Sequence, residues 1–277
     1  MRKFMFPVIF LSSLALAAQT SKPNIIPGRV GLVLIAASND GFAVATDGAQ
    51  FNADGTPSEV QKLFQVGKQG AILLAGNVAI QDPVDRPVRE EVNVARIAKG
   101  WLDSHPDTTL ETAHSEINNL VLQSLTKFFS TRKPGAQAGK YLFSIIGVSV
   151  DGGKLLRANQ KYFMPVAQGK APRTEKASGS LKAGEIEGHG GEVILGELVS
   201  GKSAPFKKFR AEPAMKKFLE STKGEGLSAE DFIGVFRVAL AAAESEEGKK
   251  LSHGMSIVSP PNRFAIITSK GGFAWRK

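Results

Sequence analysis

The apolar residues in the first part of the chain fall into two pairs of short runs. The first pair comprises residues 30–38 and 42–47, and the second pair comprises residues 62–66 and 71–75. Asn39-Asp40-Gly41 and Lys68-Gln69-Gly70 separate the members of each pair, and such sequences between apolar runs predict β-hairpins. The runs are almost continuously apolar, which indicates strands that are buried on both faces.

Three residues at the ends of these strands are candidates for chemistry. Asp47 ends the second strand, Lys62 begins the third, and Gly76 ends the fourth. Charged side chains at the ends of buried strands are costly unless they are paired, so Asp47 and Lys62 are expected to form an ion pair. From spacing alone, a structural ion pair is the simpler interpretation. A lysine held out of water can also assist proton transfer or tune a nearby amine or hydroxyl.

Four helices are predicted, in two pairs. An apolar period of three and four residues predicts a helix over 88–103, and the capping-box spacing of residues 108–111 opens a second helix. The later pair comprises residues 206–221, with a kink at Pro213, and a helix that Ser228 and Asp231 cap and that runs to about residue 246.

Further strands stand between and after the helix pairs, whereas residues 48–58 are predicted to form a loop. The strands are predicted at residues 141–150, 154–159, 192–195, 264–268 and 272–275, with one or two more between residues 163 and 190. The predicted order is strands, two helices, strands, two helices and strands. This order does not alternate single strands with single helices, as a doubly wound parallel sheet does. The order predicts a layered α/β sandwich with largely antiparallel sheets, formed by one domain.

The N-terminus has the pattern of a secretory signal over residues 1–17. Arg2 and Lys3 precede an apolar run that is too short to span a bilayer, and Ala15-Leu16-Ala17 supplies the small residues of a cleavage site. A buried helix or a membrane anchor is the alternative. Cleavage after Ala17 predicts a secreted or periplasmic protein that has no membrane contact afterwards. Residues 18–29 would then be an extended lead-in to a domain over residues 30–277.

Composition excludes several kinds of site. The chain has no cysteine, which excludes disulfides, a thiol nucleophile and cysteine-ligated metals. Its formal charge is +9, but it has only two Trp and two Tyr and no basic motif interleaved with aromatics, so no nucleic-acid partner is predicted. The four histidines, at positions 105, 114, 189 and 253, lack metal-ligand spacing. No metal or cofactor is predicted.

Residues 196–203 match the phosphate-binding pattern G-x-x-x-x-G-K-S. In a P-loop, successive backbone N–H groups surround phosphates while the lysine, here Lys202, reaches the outer ones. The predicted strand before this stretch and the helix after it suit a nucleotide binder. Against that interpretation, no later apolar strand ends in an Asp that could hold Mg²⁺.

The stretch from Gly31 to Gly76 resembles the N-terminal third of proteasome β-type subunits, which are N-terminal-nucleophile hydrolases. In that family the first residue of the mature chain is the nucleophile. The resemblance matches the family's Asp to Asp47, its Lys to Lys62, and the glycine whose N–H serves the oxyanion hole to Gly76. Both helix pairs and the segment 258–272 also fall where the family has them. The resemblance implies a four-layer αββα sandwich that acts on amide bonds and assembles as a ring or dimer.

This sequence departs from the family at the nucleophile. Counting back from Asp47 places that position at Gly31, which has no side chain, whereas the family needs a hydroxyl or thiol and a free α-amine on one residue. Thr20 and Ser21 are the nearest preceding hydroxyls. The supporting acid and serine of the family are unplaced, with Lys249 near the acid's position and, as candidate serines, Ser252, Ser256 and Ser259.

Three functions therefore remain open besides the P-loop. The first is an exported proteasome-like protein without N-terminal-threonine chemistry. The second is an active amide or peptide hydrolase that uses the corner formed by Asp47 and Lys62. The third is a non-catalytic envelope module that binds a peptide or assembles with copies of itself.

Overall fold

The computed structural model describes residues 31–51, 57–81, 91–132, 138–190, 192–221, 224–251, 258 and 260–277. The predicted signal, the predicted lead-in with Thr20 and Ser21, and His253 lie outside these residues. The three candidate serines near the C-terminus, Ser252, Ser256 and Ser259, also lie outside them.

Strands and helices alternate in blocks along the described chain. The strands are β1 (Val33–Ala37), β2 (Gly41–Thr46), β3 (Ala49–Phe51), β4 (Pro57–Glu59), β5 (Leu63–Val66), β6 (Gly70–Gly76), β7 (Ala79–Gln81), β8 (Glu91–Asn93), β9 (Tyr141–Asp151), β10 (Lys154–Phe163), β11 (Arg173–Ser180), β12 (Ile186–His189), β13 (Arg263–Thr268) and β14 (Gly272–Arg276). The helices are α1 (Val94–Ser104), α2 (Leu110–Phe129), α3 (Glu192–Ser200), α4 (Lys207–Arg210), α5 (Pro213–Glu220), α6 (Ala229–Glu244) and α7 (Glu246–Leu251), with a 3₁₀ turn at Ala204–Phe206 before α4.

In the described residues, two five-stranded antiparallel sheets form the centre of the fold. The first sheet has the order β12-β1-β2-β13-β14, and the second sheet has the order β11-β10-β9-β6-β5. Two-stranded ribbons pair β3 with β4 and β7 with β8. The prediction of a mixed α/β chain with largely antiparallel sheets is confirmed, as are both early hairpins and the C-terminal hairpin.

Alternate residues of the central strands lie in different hydrophobic clusters. One cluster joins the two sheets, and its members include Val33, Ile35, Phe42, Val44, Leu73, Ile146 and Val148. The opposite face of the second sheet packs against α1 and α2, and the opposite face of the first sheet packs against α3, α5 and α6. The central strands are therefore buried on both faces, as their continuous apolar sequence predicts.

Several predicted boundaries in the first half are wrong. Part of the predicted loop 48–58 forms the ribbon of β3 and β4. The helix predicted from residue 88 begins at Val94, because the residues just before it pair with β7 as a strand. The cap of α2 is Thr109 rather than Thr108, since Thr109 Oγ1 accepts a hydrogen bond from the backbone N–H of Thr112 at 3.3 Å.

The second half contains one change of type. The strand predicted at residues 192–195 is the start of helix α3. The segment 206–221 is divided between α4 and α5, and Pro213 begins α5 instead of kinking a longer helix, because proline is tolerated in the first helical turn. The capping box of Ser228 and Asp231 is confirmed, although its helix ends at Glu244.

Candidate functional site

Asp47 and Lys62 are anchored to different sheets. Asp47 directly follows β2, and its backbone N–H donates to the carbonyl of Leu32 at 3.1 Å. Lys62 directly precedes β5, and its carbonyl accepts a hydrogen bond from the N–H of Leu74 at 2.9 Å. Any contact between these two side chains therefore connects the first sheet with the second.

The two side chains form a buried ion pair. Lys62 Nζ donates to Asp47 Oδ1 at 2.9 Å, and both side chains have 0% exposure. Removing two charges from water costs several kcal/mol per ion, and only close pairing offsets that cost. The pairing predicted from the strand ends is thus present, at a position from which water is excluded.

Gly31 faces this ion pair directly. A Cβ added to Gly31 would lie 1.9 Å from Lys62 Nζ and 2.4 Å from Asp47 Oδ1. Carbon does not approach nitrogen or oxygen so closely without a bond, so the ion pair fills the space that a side chain at position 31 would use. We call Gly31, Asp47 and Lys62 the strand-end corner.

Gly76 lies near this corner at the same end of the second sheet. Gly76 stands two residues beyond Leu74, the residue that pairs with Lys62. Two residues of an extended strand span about 7 Å. Its φ of +96° lies in the left-handed region, and an added Cβ would lie 2.6 Å from the carbonyl oxygen of Leu142. This position therefore requires glycine for conformational reasons. A role of its N–H towards an oxyanion stays a prediction.

Three hydroxyl groups near these strand ends were not predicted from the sequence. Tyr141 Oη lies 3.0 Å from Ser144 Oγ and 3.2 Å from the carbonyl oxygen of Ala75, the residue before Gly76. Thr46, which precedes Asp47, is fully buried, and its Oγ1 has no hydrogen-bond partner among the described residues. No local sequence pattern marks Tyr141 and Ser144, because the pairing of β9 with β6 brings them close to Gly76.

A second ion pair connects the two sheets through β12, the strand that pairs with β1. Arg157 Nε on β10 donates to Glu187 Oε2 on β12 at 2.7 Å, and His189 Nε2 lies 3.6 Å from the same oxygen. Burial raises the pKa of Glu187, but the neighbouring His189 and Arg157 lower it more, so that this pKa lies below its usual value. His189 is therefore part of an acid–base cluster between the sheets.

The other described histidines contact backbone carbonyls. His105 Nδ1 lies 2.9 Å from the carbonyl oxygen of Trp101, and His114 Nε2 lies 3.2 Å from that of Ile145. Burial lowers the pKa of His114, despite an opposing effect of its hydrogen bond to Ile145. Within the described ranges, no group of three or more acidic or histidine side chains is arranged to hold a metal ion.

The P-loop interpretation of residues 196–203 is wrong. Gly196 and the four residues after it lie in helix α3, whereas a phosphate-binding loop needs a strand before it and a helix beginning after its lysine. The next element after Gly201 is the short 3₁₀ turn at Ala204–Phe206, so no helix begins directly after Lys202. Lys249, considered in place of the family's acid, lies on α7, where its Nζ is 2.7 Å from Glu246 Oε1.

The comparisons with known proteins give no assignment. No protein-family model matches the chain, and no curated protein matches it. In the part of the chain that the structure describes, no helix is both long enough and apolar enough to cross a bilayer.

Proposed function

We propose that this chain is an exported relative of proteasome β-type subunits in which the N-terminal-nucleophile site has lost its nucleophile. In this proposal the chain has the four-layer αββα sandwich of that family, and signal cleavage after Ala17 delivers it to the periplasm or the exterior. It acts there as a non-catalytic module that binds a peptide or assembles with copies of itself, as a ring or a dimer.

The distribution of the hydrophobic clusters supports the layered architecture. One apolar cluster lies between the two sheets, and each sheet has a further cluster between its other face and a group of helices. This arrangement corresponds to the order helix, sheet, sheet, helix that the resemblance implies. The helices of one outer layer come from the middle of the chain and those of the other from the later part, as the resemblance also implies.

The orientation of Gly31 towards Asp47 and Lys62 is the observation that carries the proposal. The resemblance places the nucleophile at this position. A Cβ added there would point at the buried side chains of Lys62 and Asp47. An attacking hydroxyl at this position would lie beside the ammonium group, as the family's mechanism requires. With glycine there, the position has no side-chain hydroxyl or thiol to attack a carbonyl, and the ion pair occupies the space.

Restoring the nucleophile tests this proposal. We would prepare the wild-type chain and the variant Gly31→Thr, each with a removable N-terminal fusion whose cleavage leaves residue 31 first. A biotinylated peptide epoxyketone, which requires a hydroxyl and a free α-amine on one residue, serves as the probe. We expect no adduct on the wild type and one adduct per chain on cleaved Gly31→Thr, measured by intact-protein mass spectrometry. The ammonium tip of Lys62 must shift for the threonine to fit.

Matched controls make each outcome informative. Gly31→Ala, and Gly31→Thr with its fusion retained, should both remain unlabelled, since the first lacks the hydroxyl and the second lacks the free amine. Labelling of the wild type would show an active nucleophile elsewhere and would contradict the loss of catalysis. A cleaved Gly31→Thr variant with wild-type circular dichroism but no adduct would instead contradict the family assignment.

A further inference from the structure

A groove runs along the outer edge of the second sheet, on the side of β5. Two adjoining cavities of about 680 Å³ and about 440 Å³ form it, and both are lined by Gln65. The wider cavity extends between Phe64 and Pro106 to Trp275, and the narrower one ends among Lys68, Lys270 and Phe273. We call this surface the edge groove.

The floor of the edge groove has backbone hydrogen-bonding groups that face outwards. Among the described residues, β5 is the last strand of its sheet. Lys62 and Leu74 share a backbone hydrogen bond. Along antiparallel strands, hydrogen-bonded pairs alternate with pairs that share no hydrogen bond. Leu63 and Gln65 belong to the second kind, so their backbone N–H and C=O groups point away from β6. The carbonyl of Leu63 accepts from Gln61 Nε2 at 2.9 Å. The N–H and C=O of Gln65 point into the groove.

The opposite wall of the groove is β14, which ends the first sheet. Trp275 is 47% exposed there, and its ring meets the partly buried ring of Phe273 edge-on at 4.9 Å. Two hydrogen bonds of 2.7 Å hold the walls together at one end, from the N–H of Phe273 to the carbonyl of Lys68 and from Gln69 Nε2 to the carbonyl of Ser269. These two hydrogen bonds therefore close one end of the groove.

The charge of the groove selects its occupant. Lys68 and Lys270 line its closed end, and neither belongs to an ion pair among the described residues. Lys99 at the open end is neutralised by Asp103, with Nζ 2.5 Å from Oδ2. Lysines at a sheet edge oppose pairing with a neutral or basic strand. Two copies of this chain would also bring their lysines together, whereas an acidic strand would be attracted.

We propose that the edge groove binds an extended acidic peptide segment as an additional strand beside β5. The backbone of the peptide exchanges hydrogen bonds with Gln65, its apolar side chains pack under Trp275, and its carboxylates lie at Lys68 and Lys270. This is the strand-addition mode of peptide recognition, in which the backbone provides affinity and the side-chain contacts provide selectivity. The proposal does not depend on the strand-end corner.

Fluorescence anisotropy with three short peptides tests the proposal on the full chain. The probe alternates valine and glutamate, a second peptide has lysine in place of glutamate, and a third repeats the probe with alternate backbone amides N-methylated. We expect binding of the first peptide only, weakened by added salt. Binding of the N-methylated peptide with equal affinity would overturn strand addition. Failure of the probe to bind at about 1 mM would overturn the whole proposal.

Variants locate the binding. The double substitution Lys68→Glu with Lys270→Glu should weaken binding about tenfold, because it replaces two attractive charge contacts with two repulsive ones. Trp275→Ala should also weaken it. Lys216→Glu, which reverses an exposed lysine on α5, is the matched control and should leave binding unchanged. Equal affinity in all variants would overturn the assignment to this groove. A dimer dispersed by the lysine reversals would overturn it in favour of a second copy of the chain.

Discussion

Replacement of Lys62 alone should strongly weaken the folded state. Lys62→Met leaves the fully buried carboxylate of Asp47 without its ammonium partner, so we expect a loss of about 3–5 kcal/mol in the free energy of unfolding. Urea denaturation followed by circular dichroism measures it. The double variant Asp47→Leu with Lys62→Met should recover to within about 1 kcal/mol of the wild type, because two apolar side chains replace both charges. A single variant as stable as the wild type would contradict this account.

Gly31 should tolerate no side chain without cost. The added methyl group of Gly31→Ala would collide with the ammonium of Lys62, and relieving the clash moves the ion pair, so we expect destabilisation of about 1–3 kcal/mol. Gly100→Ala is the matched control, because nothing lies within 4 Å of its added Cβ and it stands inside α1. That control should stabilise the chain by roughly 0.5–1 kcal/mol. The same urea titration measures both, and equal effects of the two changes would refute the packing argument.

The residues of the strand-end corner could be predicted in part. Asp47 and Lys62 are visible in the sequence because each stands at the end of an apolar run, and their pairing follows from the cost of burying a charge. The fit of Gly31 against them could not be predicted, because it depends on how two sheets approach one another. Arg157 and Glu187 were missed for the same reason, since nothing local marks two polar residues that meet across a sheet interface.

Among the elements, helix α6 has the most complete start signal, and it can be tested. Ser228 Oγ accepts from the N–H of Asp231 at 3.2 Å, and Asp231 Oδ2 accepts from the N–H of Ser228 at 3.0 Å. Ser228→Ala should therefore cost about 1 kcal/mol in the free energy of unfolding, measured by thermal and urea denaturation. Ser124→Ala is the control, since the hydroxyl of Ser124 donates to the carbonyl of Leu120 in its own helix and its loss should be near neutral. An equal loss in both variants would rule out the capping explanation.

Element types were predictable where the apolar pattern is long, and not where it is short. The hairpins around β2 and β6 follow from continuous apolar runs and turn residues. The stretch at 192–195 was assigned to a strand because four residues cannot separate a period of two from one of 3.6. The structure resolves the ambiguity, because Ile194 and Leu198 are buried one helical turn apart against α6. The late start of α1 reflects the pairing of β8 with β7, a tertiary effect.

At the scale of the whole molecule, Glu187 should make stability depend on pH. Burial raises its pKa, but His189 and Arg157 outweigh burial and hold the pKa of Glu187 below its ordinary value of 4.5. The unfolded chain therefore binds more protons in this range. The stability that Glu187 contributes is fully present above its pKa in the unfolded chain. It is lost as the pH falls through its lower pKa in the folded protein. Urea midpoints at about pH 5, 4 and 3 should fall less steeply in Glu187→Gln than in the wild type.

A substitution that removes no ionisable group provides the comparison for this pH effect. Ser124→Ala changes only a hydroxyl on α2 and should leave the slope of stability against pH unchanged. If Glu187→Gln and the wild type lose stability in parallel between these pH values, the cluster between β10 and β12 does not contribute as described.

The strand order of the first sheet has a consequence for synthesis. Strand β2, whose six residues are all buried, pairs with β1 along one edge and with β13 along the other. Strand β13 begins only at Arg263, late in the chain. Until the ribosome has released residues 263–268, the nascent polypeptide has an apolar strand edge that β13 cannot yet cover. Such edges recruit other chains, so a product that ends before Arg263 is expected to aggregate. Chaperones would have to shield this edge of the nascent chain until β13 has emerged.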